Sequence, residues 1–274
     1  MFDDPLIDLA LREDAGLGDL TSEAIFSMAD DSQGRIVAKE PMVLAGLEVA
    51  LRVFERCSSD ISVECLAGDA QKIIPGETVL RFSGPTIPLL IAERTVLNFM
   101  QNLSGIATIC RQYADIAIPY GVRIVDTRKT LPGFRSLAKY AVRCGGCHNH
   151  RSGLGDHVLI KENHIAAAGS LEAAIERCQA RAPHLCKIEV EVVDIAMAGK
   201  AIAAGADVLL LDNMSVEEIG DCVTRYKYQA VLEVSGGVTL DTLESYCRTG
   251  VDVISVGALT HSVRAADLSM LFDV

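Results

Sequence analysis

The stretch from residue 126 to residue 164 concentrates side chains that could hold a negatively charged ligand. Seven basic residues against three acidic ones give it a local charge of +4, in a chain whose formal net charge is −12. The basic residues are Arg128, Lys129, Arg135, Lys139, Arg143, Arg151 and Lys161, and the acidic ones are Asp126, Asp156 and Glu162. A cationic island in an acidic protein repels itself unless an anion lies in it, so a pocket for a small polyanion is one interpretation and a solvated surface is the other. A long nucleic acid is disfavoured, because the rest of the chain would repel its phosphates.

Four residues of this region suit the carboxylates of a flat ring. Arg128 and Arg151 offer forked donors, and His150 and Lys161 add donors from neighbouring loops. Arg128 alone could be an ion-pair partner, whereas four such groups from three loops favour a dianionic ligand.

Two carboxylates, Glu191 and Asp212, close neighbouring apolar runs further along the chain. Paired carboxylates beside a phosphate are oxygen donors that Mg²⁺ prefers, usually with retained waters. We therefore expect a magnesium ion at this pair. The alternative is that one of the two forms an ion pair with Lys129 or Lys161.

Small residues near the end of the chain predict a phosphate site. Ser235-Gly236-Gly237 follows one apolar run, Gly257 follows the next, and residues 260–262, with His261 at their centre, open a predicted final helix. Backbone N–H groups can approach an oxyanion where side chains are small, and a helix N-terminus adds partial positive charge. The SGG run taken alone is equally typical of an ordinary turn.

The run from Cys144 to His148 matches the pattern of covalent haem attachment, and with His150 it also resembles a zinc site or a redox pair. Haem attachment requires export, and the acidic N-terminus is unlike a signal peptide. Cys144 is therefore interpreted as a core residue at a helix end, and Cys147 as a loop residue. We expect a cytoplasmic protein, because nine cysteines suit a reducing compartment and no apolar run reaches the roughly 18 residues of a membrane span.

Six short apolar runs alternate with helix-patterned segments in the second part of the chain. They cover residues 122–126, 157–163, 187–192, 206–213, 230–237 and 251–257. Repeated strand–helix units imply parallel strands with right-handed crossovers, so the fold class is α/β. Six units, against the usual eight, predict an open (β/α)6 TIM-like barrel, with a doubly wound sheet as the alternative. Polar residues end every run, Glu189 and Glu233 among them, and barrels of this kind carry the active site at the carboxyl ends of the strands.

The first part of the chain predicts a smaller α/β (α+β) domain. A helix is expected from Pro5 to Glu13, and a small sheet with one helix over 47–56 occupies residues 35–83. The longest helix follows Pro85 and is predicted to stop at Ser104-Gly105.

Several long motifs, taken in order, resemble the quinolinate phosphoribosyltransferase family. They are LREDAGLGDLTSEA, ERTVLNFMQNLSGIAT, DTRKTLPGFRSLAKYAV, NHRSGLGDHVLIKENH, IEVEV, LLLDNM, LEVSGGV and GVDVISVGALTHSVRAADLSM. The resemblance implies an enzyme of NAD biosynthesis that converts quinolinate and phosphoribosyl pyrophosphate to nicotinate mononucleotide, pyrophosphate and CO₂. We accordingly place the N-terminal domain at residues 1–108, joined by a C-terminal helix over 262–274, and the barrel at residues 109–261.

The same resemblance implies roles for individual residues. It assigns the quinolinate carboxylates to Arg128, His150, Arg151 and Lys161, together with Arg94 from the second subunit of a homodimer with shared active sites; hexamers occur among relatives. It assigns phosphoribosyl pyrophosphate to Lys129, Glu191, Asp212, Ser235, Gly236, Gly237, Gly257 and His261, and Mg²⁺ to Glu191 and Asp212. The catalytic set is Lys129, Lys161, Glu191 and Asp212.

Two positions depart from the family pattern, which usually has a third glycine where Cys147 stands and leucine where Ser152 stands. A positive φ at residue 147 would strain a cysteine by about 1 kcal/mol or more. A paralogue encoded with molybdate transport genes, acting on another aromatic acid, is the alternative. The family residues Asp126, Asn149 and Lys161 are intact, which favours the quinolinate enzyme.

Overall fold

The computed structural model describes residues 4 to 273, in which the chain forms two compact units. Unit 1 contains residues up to 111, residues 130–146 and residues from 259 onward, and unit 2 contains residues 112–129 and 147–258. The segment 130–146 therefore belongs to unit 1, although the sequence placed it in the barrel.

Helices and strands alternate along most of the chain. In chain order they are α1 (Asp4–Ala15), α2 (Leu20–Ile25), β1 (Asp31–Ala38), β2 (Met42–Val43), α3 (Leu47–Cys57), β3 (Ser62–Cys65), β4 (Lys72–Ile73), β5 (Thr78–Pro85), α4 (Thr86–Ala117), a 3₁₀ turn (Ile118–Tyr120), β6 (Arg123–Val125), α5 (Arg135–Cys144), β7 (Val158–Ile160), α6 (Glu162–Ala168), α7 (Leu171–Arg181), β8 (Ile188–Val192), α8 (Ile195–Ala203), β9 (Val208–Asp212), α9 (Val216–Tyr226), β10 (Val231–Ser235), α10 (Leu240–Cys247), β11 (Val253–Ser255), α11 (Ala258–His261) and β12 (Leu268–Phe272).

Unit 1 is organised around an antiparallel sheet with the strand order β12-β1-β5-β3. The apolar face of α3 is buried, and its Phe54 stacks on Phe82 of β5 at a ring-centroid distance of 5.8 Å. Phe82 in turn meets Phe272 of β12 edge-on at 5.4 Å. Aromatic pairs at these distances add to the apolar burial that stabilises the unit.

The prediction of a C-terminal helix over 262–274 is wrong. Residues 268–272 form β12, which pairs antiparallel with β1 from Leu268 beside Ala38 to Phe272 beside Gly34. Leu268 and Met270 are buried while Ser269 and Leu271 are more exposed, an alternation that fits a strand with one buried face. Pairing also satisfies the backbone groups along one edge of β1.

The predicted interruption of the long helix at Ser104-Gly105 is also wrong, because α4 continues to Ala117. Ser104 is fully buried, and its hydroxyl accepts from the N–H of Ala45 at 3.0 Å and donates to the carbonyl oxygen of Ala45 at 3.2 Å. A Cβ on Gly105 would lie 2.3 Å from the carbonyl oxygen of Arg264. Both residues therefore serve close packing of the helix, which outweighs their low helix propensity.

Unit 2 contains six parallel strands in the order β6-β11-β10-β9-β8-β7. All six strands predicted from the apolar runs are confirmed. The first strand pairs with the last and the others follow chain order, so the sheet curls towards closure and stays open between β6 and β7. Strand order in a doubly wound sheet would reverse at an internal point, which excludes that alternative.

Polar side chains cap the starts of four helices in unit 2. Ser170, Asp194, Ser215 and Thr239 cap α7, α8, α9 and α10 by accepting backbone N–H groups. Asp194, Ser215 and Thr239 begin their helices within a few residues of the end of a strand, whereas Ser170 begins α7 directly after α6. Of the helices between residues 4 and 273, none has the combination of length and apolar character that a bilayer span requires.

Candidate active site

Polar side chains lie on one face of the unit 2 sheet at the ends of adjacent strands. Glu191 of β8 lies beside Leu210 of β9, and Asp212, two residues further along β9, lies beside Ser235 of β10. Residues two apart on a strand share a face, so these side chains project together. Lys161 directly follows β7 and forms an ion pair with Glu191. The structure thus brings together Lys161, Glu191, Asp212 and Ser235.

The two carboxylates proposed for a metal ion both have protein partners. Glu191 binds Lys161, as the ion-pair alternative predicted for one of them. Asp212 accepts hydrogen bonds from the Ser235 hydroxyl at 2.5 Å and from the Asn213 side-chain amide at 2.7 Å. Two oxygen donors on neighbouring strand ends, oriented by such contacts, have the chemistry that suits Mg²⁺ with retained waters.

Arg128 and Arg151 supply the cationic side of the site, and both are partly buried. Burial lowers the pKa of Arg151, and the charge of Arg128 lowers it further. Arg151 also donates from Nη1 to the carbonyl oxygen of His157 at 3.4 Å. Two guanidinium groups held near each other attract a ligand with more than one negative charge.

Asp126 anchors the loop that carries Arg151. It follows β6, is fully buried, and accepts the backbone N–H of His150 at 2.8 Å and the Asn149 side-chain amide at 2.7 Å. His148 extends this contact by a parallel bridge to Val125 of β6. Hydrogen bonds to a buried carboxylate are strong, so the loop is tied to the end of β6.

Both ring nitrogens of His150 contact protein groups. Nδ1 accepts the N–H of Arg151 at 2.8 Å. Nε2 lies 3.3 Å from Oε2 of Glu189 and 3.5 Å from Oε1 of Glu233. Burial lowers the pKa of His150, but the hydrogen bond to Glu189 and the charges of both glutamates outweigh it and raise the pKa overall.

Glu189 and Glu233 do not lie at the carboxyl ends of their strands, where the sequence pattern predicted them. They are the second residue of β8 and the third of β10, and both are buried. Burial and the charge of Glu189 raise the pKa of Glu233 to about 7. Glu189 and Glu233 form a polar layer together with His150 and His157. Nε2 of His157 lies 3.3 Å from Oε2 of Glu189. The two glutamates of this polar layer precede the carboxyl ends of their strands.

Of this polar layer, His150 is among the predicted site residues, whereas Glu189, Glu233 and His157 were missed. A signal was present, because charged residues alternate with buried apolar ones in IEVEV and LEVS, which puts the charges on the inner face of a buried strand. The polar layer lines a cavity of about 660 Å³, and Asn149 and Arg151 line the same cavity.

The backbone after β10 is shaped for close approach. Gly236 and Gly237 have φ values of 94° and 60°, and Asn213 also has a positive φ of 53°. A Cβ on Gly236 would lie 2.2 Å from Oδ1 of Asn213, so glycine is required there. Gly257 follows β11 and is partly buried. Small residues let an anion approach the backbone closely, which is compatible with the predicted phosphate site.

Several predicted positions lie elsewhere or have another geometry. Arg94, exposed on α4, and His261, exposed at the end of α11, belong to unit 1, and their roles stay predictions. Lys129 is exposed after β6. Between residues 4 and 273, the non-glycine residues with positive φ are Ala70 and Asn213, so Cys147 carries no such strain; Gly146, with φ of 89°, makes the turn before it.

Comparison with known protein families matches two domain models to this chain. The model of the quinolinate phosphoribosyl transferase C-terminal domain matches residues 106–271, and that of the N-terminal domain matches residues 19–104.

Curated relatives and solved structures match over nearly the full chain. A probable nicotinate-nucleotide pyrophosphorylase [carboxylating] of Bacillus subtilis is 42% identical over 97% of this chain and 91% of its own length. The nicotinate-nucleotide pyrophosphorylase [carboxylating] of Mycobacterium leprae is 41% identical over 95% and 94%. The solved structure of the nicotinate-nucleotide pyrophosphorylase from Francisella tularensis superposes with a TM-score of 0.95 at 39% identity, covering 98% of this chain and 95% of that one.

The chain carries both family domains in order, and Glu191 and Asp212 lie at the ends of adjacent strands of one sheet. It belongs to the quinolinate phosphoribosyl transferase family.

Proposed function

We propose that this protein is a carboxylating nicotinate-nucleotide pyrophosphorylase. It transfers the phosphoribosyl group of phosphoribosyl pyrophosphate to quinolinate and releases nicotinate mononucleotide, pyrophosphate and CO₂ for NAD biosynthesis. The observation that carries the proposal is the ion pair of Lys161 with Glu191 beside Asp212 and Ser235 at adjacent strand ends of unit 2. It stands in a chain that is 42% identical, over 97% of its own length, to a relative of that name.

Arg128, Arg151 and Lys161 would bind the two carboxylates of quinolinate. Arg128 and Arg151 lie close enough for their charges to interact, and each offers a fork that matches a carboxylate. Lys161 forms an ion pair with Glu191, so a dianionic ligand would compete with the Glu191 carboxylate for the ammonium group of Lys161. His150 supports the same loop, with both of its ring nitrogens already engaged by protein groups.

Ser235, Gly236, Gly237, Gly257 and His261 would bind the phosphates of the donor, together with Lys129. The backbone after β10 is open through its two glycines, and its approach to Asn213 leaves no room for a larger residue. Glu191 and Asp212 would hold a Mg²⁺ ion, which offsets the charge that develops on pyrophosphate.

Bond formation needs no covalent intermediate on the protein. The ring nitrogen of quinolinate attacks the anomeric carbon, and the bond to pyrophosphate breaks with its electron pair leaving on pyrophosphate. The quaternised ring then accepts the electrons of the bond to the adjacent carboxylate, CO₂ leaves, and the ring carbon takes a proton. Lys129 and His150 are the two candidate donors of this proton. The remaining contribution is positioning and charge stabilisation.

A direct assay tests the reaction. Purified protein given quinolinate, phosphoribosyl pyrophosphate and Mg²⁺ should release CO₂ and form nicotinate mononucleotide in equal amounts. Arg128→Ala should lose this activity chiefly through a raised quinolinate KM. Heat of binding without turnover would identify a non-catalytic binder and overturn the proposal.

The cytoplasmic homodimer is part of this proposal. Nine free cysteines suit a reducing compartment, and Arg94 is exposed on α4, where a second subunit could use it. If sites are shared, mixing inactive Arg94→Ala with inactive Lys129→Ala should restore roughly a quarter of wild-type activity, since mixed dimers keep one intact site. Mixed dimers that are verified by mass and remain inactive would place each site within one chain.

A further inference from the structure

Glu189, Glu233 and His157 of the polar layer have no role in the proposed reaction, whereas His150 supports the loop that carries Arg151. Glu189 is 2% exposed and Glu233 is 5% exposed, and they lie on the same face of β8 and β10 with β9 between them. Two carboxylates are costly to bury, so each needs a partner that donates hydrogen bonds. Nε2 of His150 lies 3.3 Å from Oε2 of Glu189. It lies 3.5 Å from Oε1 of Glu233, which is an ion-pair distance, because that buried oxygen has no hydrogen-bond partner.

The tautomer of His150 follows from its other nitrogen. Nδ1 lies 2.8 Å from the backbone nitrogen of Arg151, and a backbone N–H can only donate. Nδ1 must therefore accept, which places the ring proton on Nε2, where it points at Glu189 and Glu233. The imidazole thus connects the buried carboxylates to the backbone of Arg151.

The same geometry argues against a metal ion in this layer. His150, His157 and Glu189 offer donor atoms within 4.8 Å of one another, a spacing that a transition metal could bridge. A metal on Nε2 of His150 would move the ring proton to Nδ1, where it would face the N–H of Arg151. That hydrogen bond would be lost, so the arrangement favours proton donation to the glutamates.

The loop is held from two sides. The Asp126 carboxylate accepts a hydrogen bond from the backbone N–H of His150. The backbone N–H of Arg151 donates to Nδ1 of the His150 ring. Arg151 is one of the two guanidinium groups proposed for the pyridine ligand. A small displacement of such a group costs substrate affinity, because binding to a planar carboxylate depends on angle as well as distance.

We propose that Glu189 and Glu233 are positioning residues of the active site, which act through His150 to hold its Nε2–H form and thereby fix the Arg151 backbone for binding of a pyridine dicarboxylate. This inference rests on the proposed function for its ligand. Glu189 and Glu233 do not touch the substrate; they set the geometry of a group that does.

Nitrogen-15 NMR of histidine-labelled protein tests the tautomer without any turnover. The His150 signals, assigned by their loss in His150→Asn, should show a protonated Nε2 and an unprotonated Nδ1 in the wild-type protein. The Glu189→Ala/Glu233→Ala double variant should show a mixture of tautomers. A wild-type Nδ1–H form overturns the proposal, as does stoichiometric binding of added Zn²⁺ that shifts the His150 signals.

Kinetics test the consequence for the ligand. Glu189→Ala should raise the quinolinate KM about tenfold and leave the phosphoribosyl pyrophosphate KM within about twofold, since one arm of the site is displaced. Glu189→Gln keeps an acceptor oxygen and should restore most of the affinity. Glu217→Ala, on the exposed face of α9, is the matched control and should behave as wild type.

The outcomes separate the two proposals. An unchanged quinolinate KM in Glu189→Ala, or an equal rise of both KM values, overturns the positioning role. A wild-type protein without turnover overturns the proposed function, while the tautomer measurement still decides the role of the glutamates. Because that measurement is made on wild-type protein, a variant that fails to fold does not remove the test.

Discussion

Replacing Asp126 by asparagine should loosen the cationic loop while changing almost no volume. The Asp126 carboxylate is fully buried and accepts the His150 N–H at 2.8 Å and the Asn149 amide at 2.7 Å. Asparagine offers one oxygen and one NH₂ group to these two donors. One donor would therefore face another donor inside the protein.

The cost follows from these contacts. A hydrogen bond to a buried charged acceptor contributes about 1.5–3 kcal/mol, and a buried donor left without an acceptor costs about 1–3 kcal/mol. Relief from burying the charge of Asp126 offsets part of this. We expect a net loss of about 2–4 kcal/mol in unit 2, which corresponds to a fall in Tm of roughly 5 °C or more. Because the loop carries Arg151, the quinolinate KM should rise by about tenfold or more.

Three measurements on Asp126→Asn check this reasoning. Thermal unfolding reports the stability, amide hydrogen exchange of residues 147–157 reports the loop, and steady-state kinetics reports both substrate KM values. The control is Asp221→Asn, an exposed carboxylate on α9 that should change none of them. If Asp126→Asn keeps wild-type exchange, Tm and quinolinate KM, Asp126 does not hold the loop and the reasoning fails.

Three further perturbations probe the metal site, the polar layer and the packing of unit 1. Asp212→Asn should raise the Mg²⁺ concentration needed for half-maximal rate about tenfold, and a wild-type Mg²⁺ titration would assign the ion to other residues. The pKa of Glu233 is raised to about 7 in the folded protein. Its contribution to the free energy of unfolding is therefore complete below the pKa that it has in the unfolded chain, and it is lost as the pH rises through about 7. The Tm of Glu233→Gln relative to wild type should therefore increase from about pH 5 to about pH 8; a constant difference would show that the carboxyl group does not titrate in this range. Gly105→Ala should destabilise unit 1 by about 1–3 kcal/mol, because its Cβ would lie 2.3 Å from a backbone oxygen, whereas Gly220→Ala on α9, with open space around it, should be neutral or stabilising. Equal stability of the two alanine variants, measured by urea unfolding, would contradict the role of Gly105 in packing.

Local patterns in the sequence determined the elements of unit 2. The six apolar runs became β6 to β11, and the residues Ser170, Asp194, Ser215 and Thr239 became helix caps. These signals are local, since a strand needs a few apolar residues in a row and a cap needs one side chain near its own backbone. The clustering of polar residues at strand ends followed from the same pattern, because parallel strands end on one side.

Contacts distant in sequence decided the rest. Residues 268–272 became a strand because β1 offered an edge, and α4 ran through Ser104-Gly105 because Ala45 and the C-terminal backbone packed against it. The depth of Glu189 and Glu233 depended on strand register, and their link to His150 joined residues 39 and 83 positions apart along the chain. No local pattern contains such pairings, because register and burial are properties of neighbouring strands. The sequence alone therefore determined which groups could do chemistry. The tertiary structure decided which of these groups lie in contact.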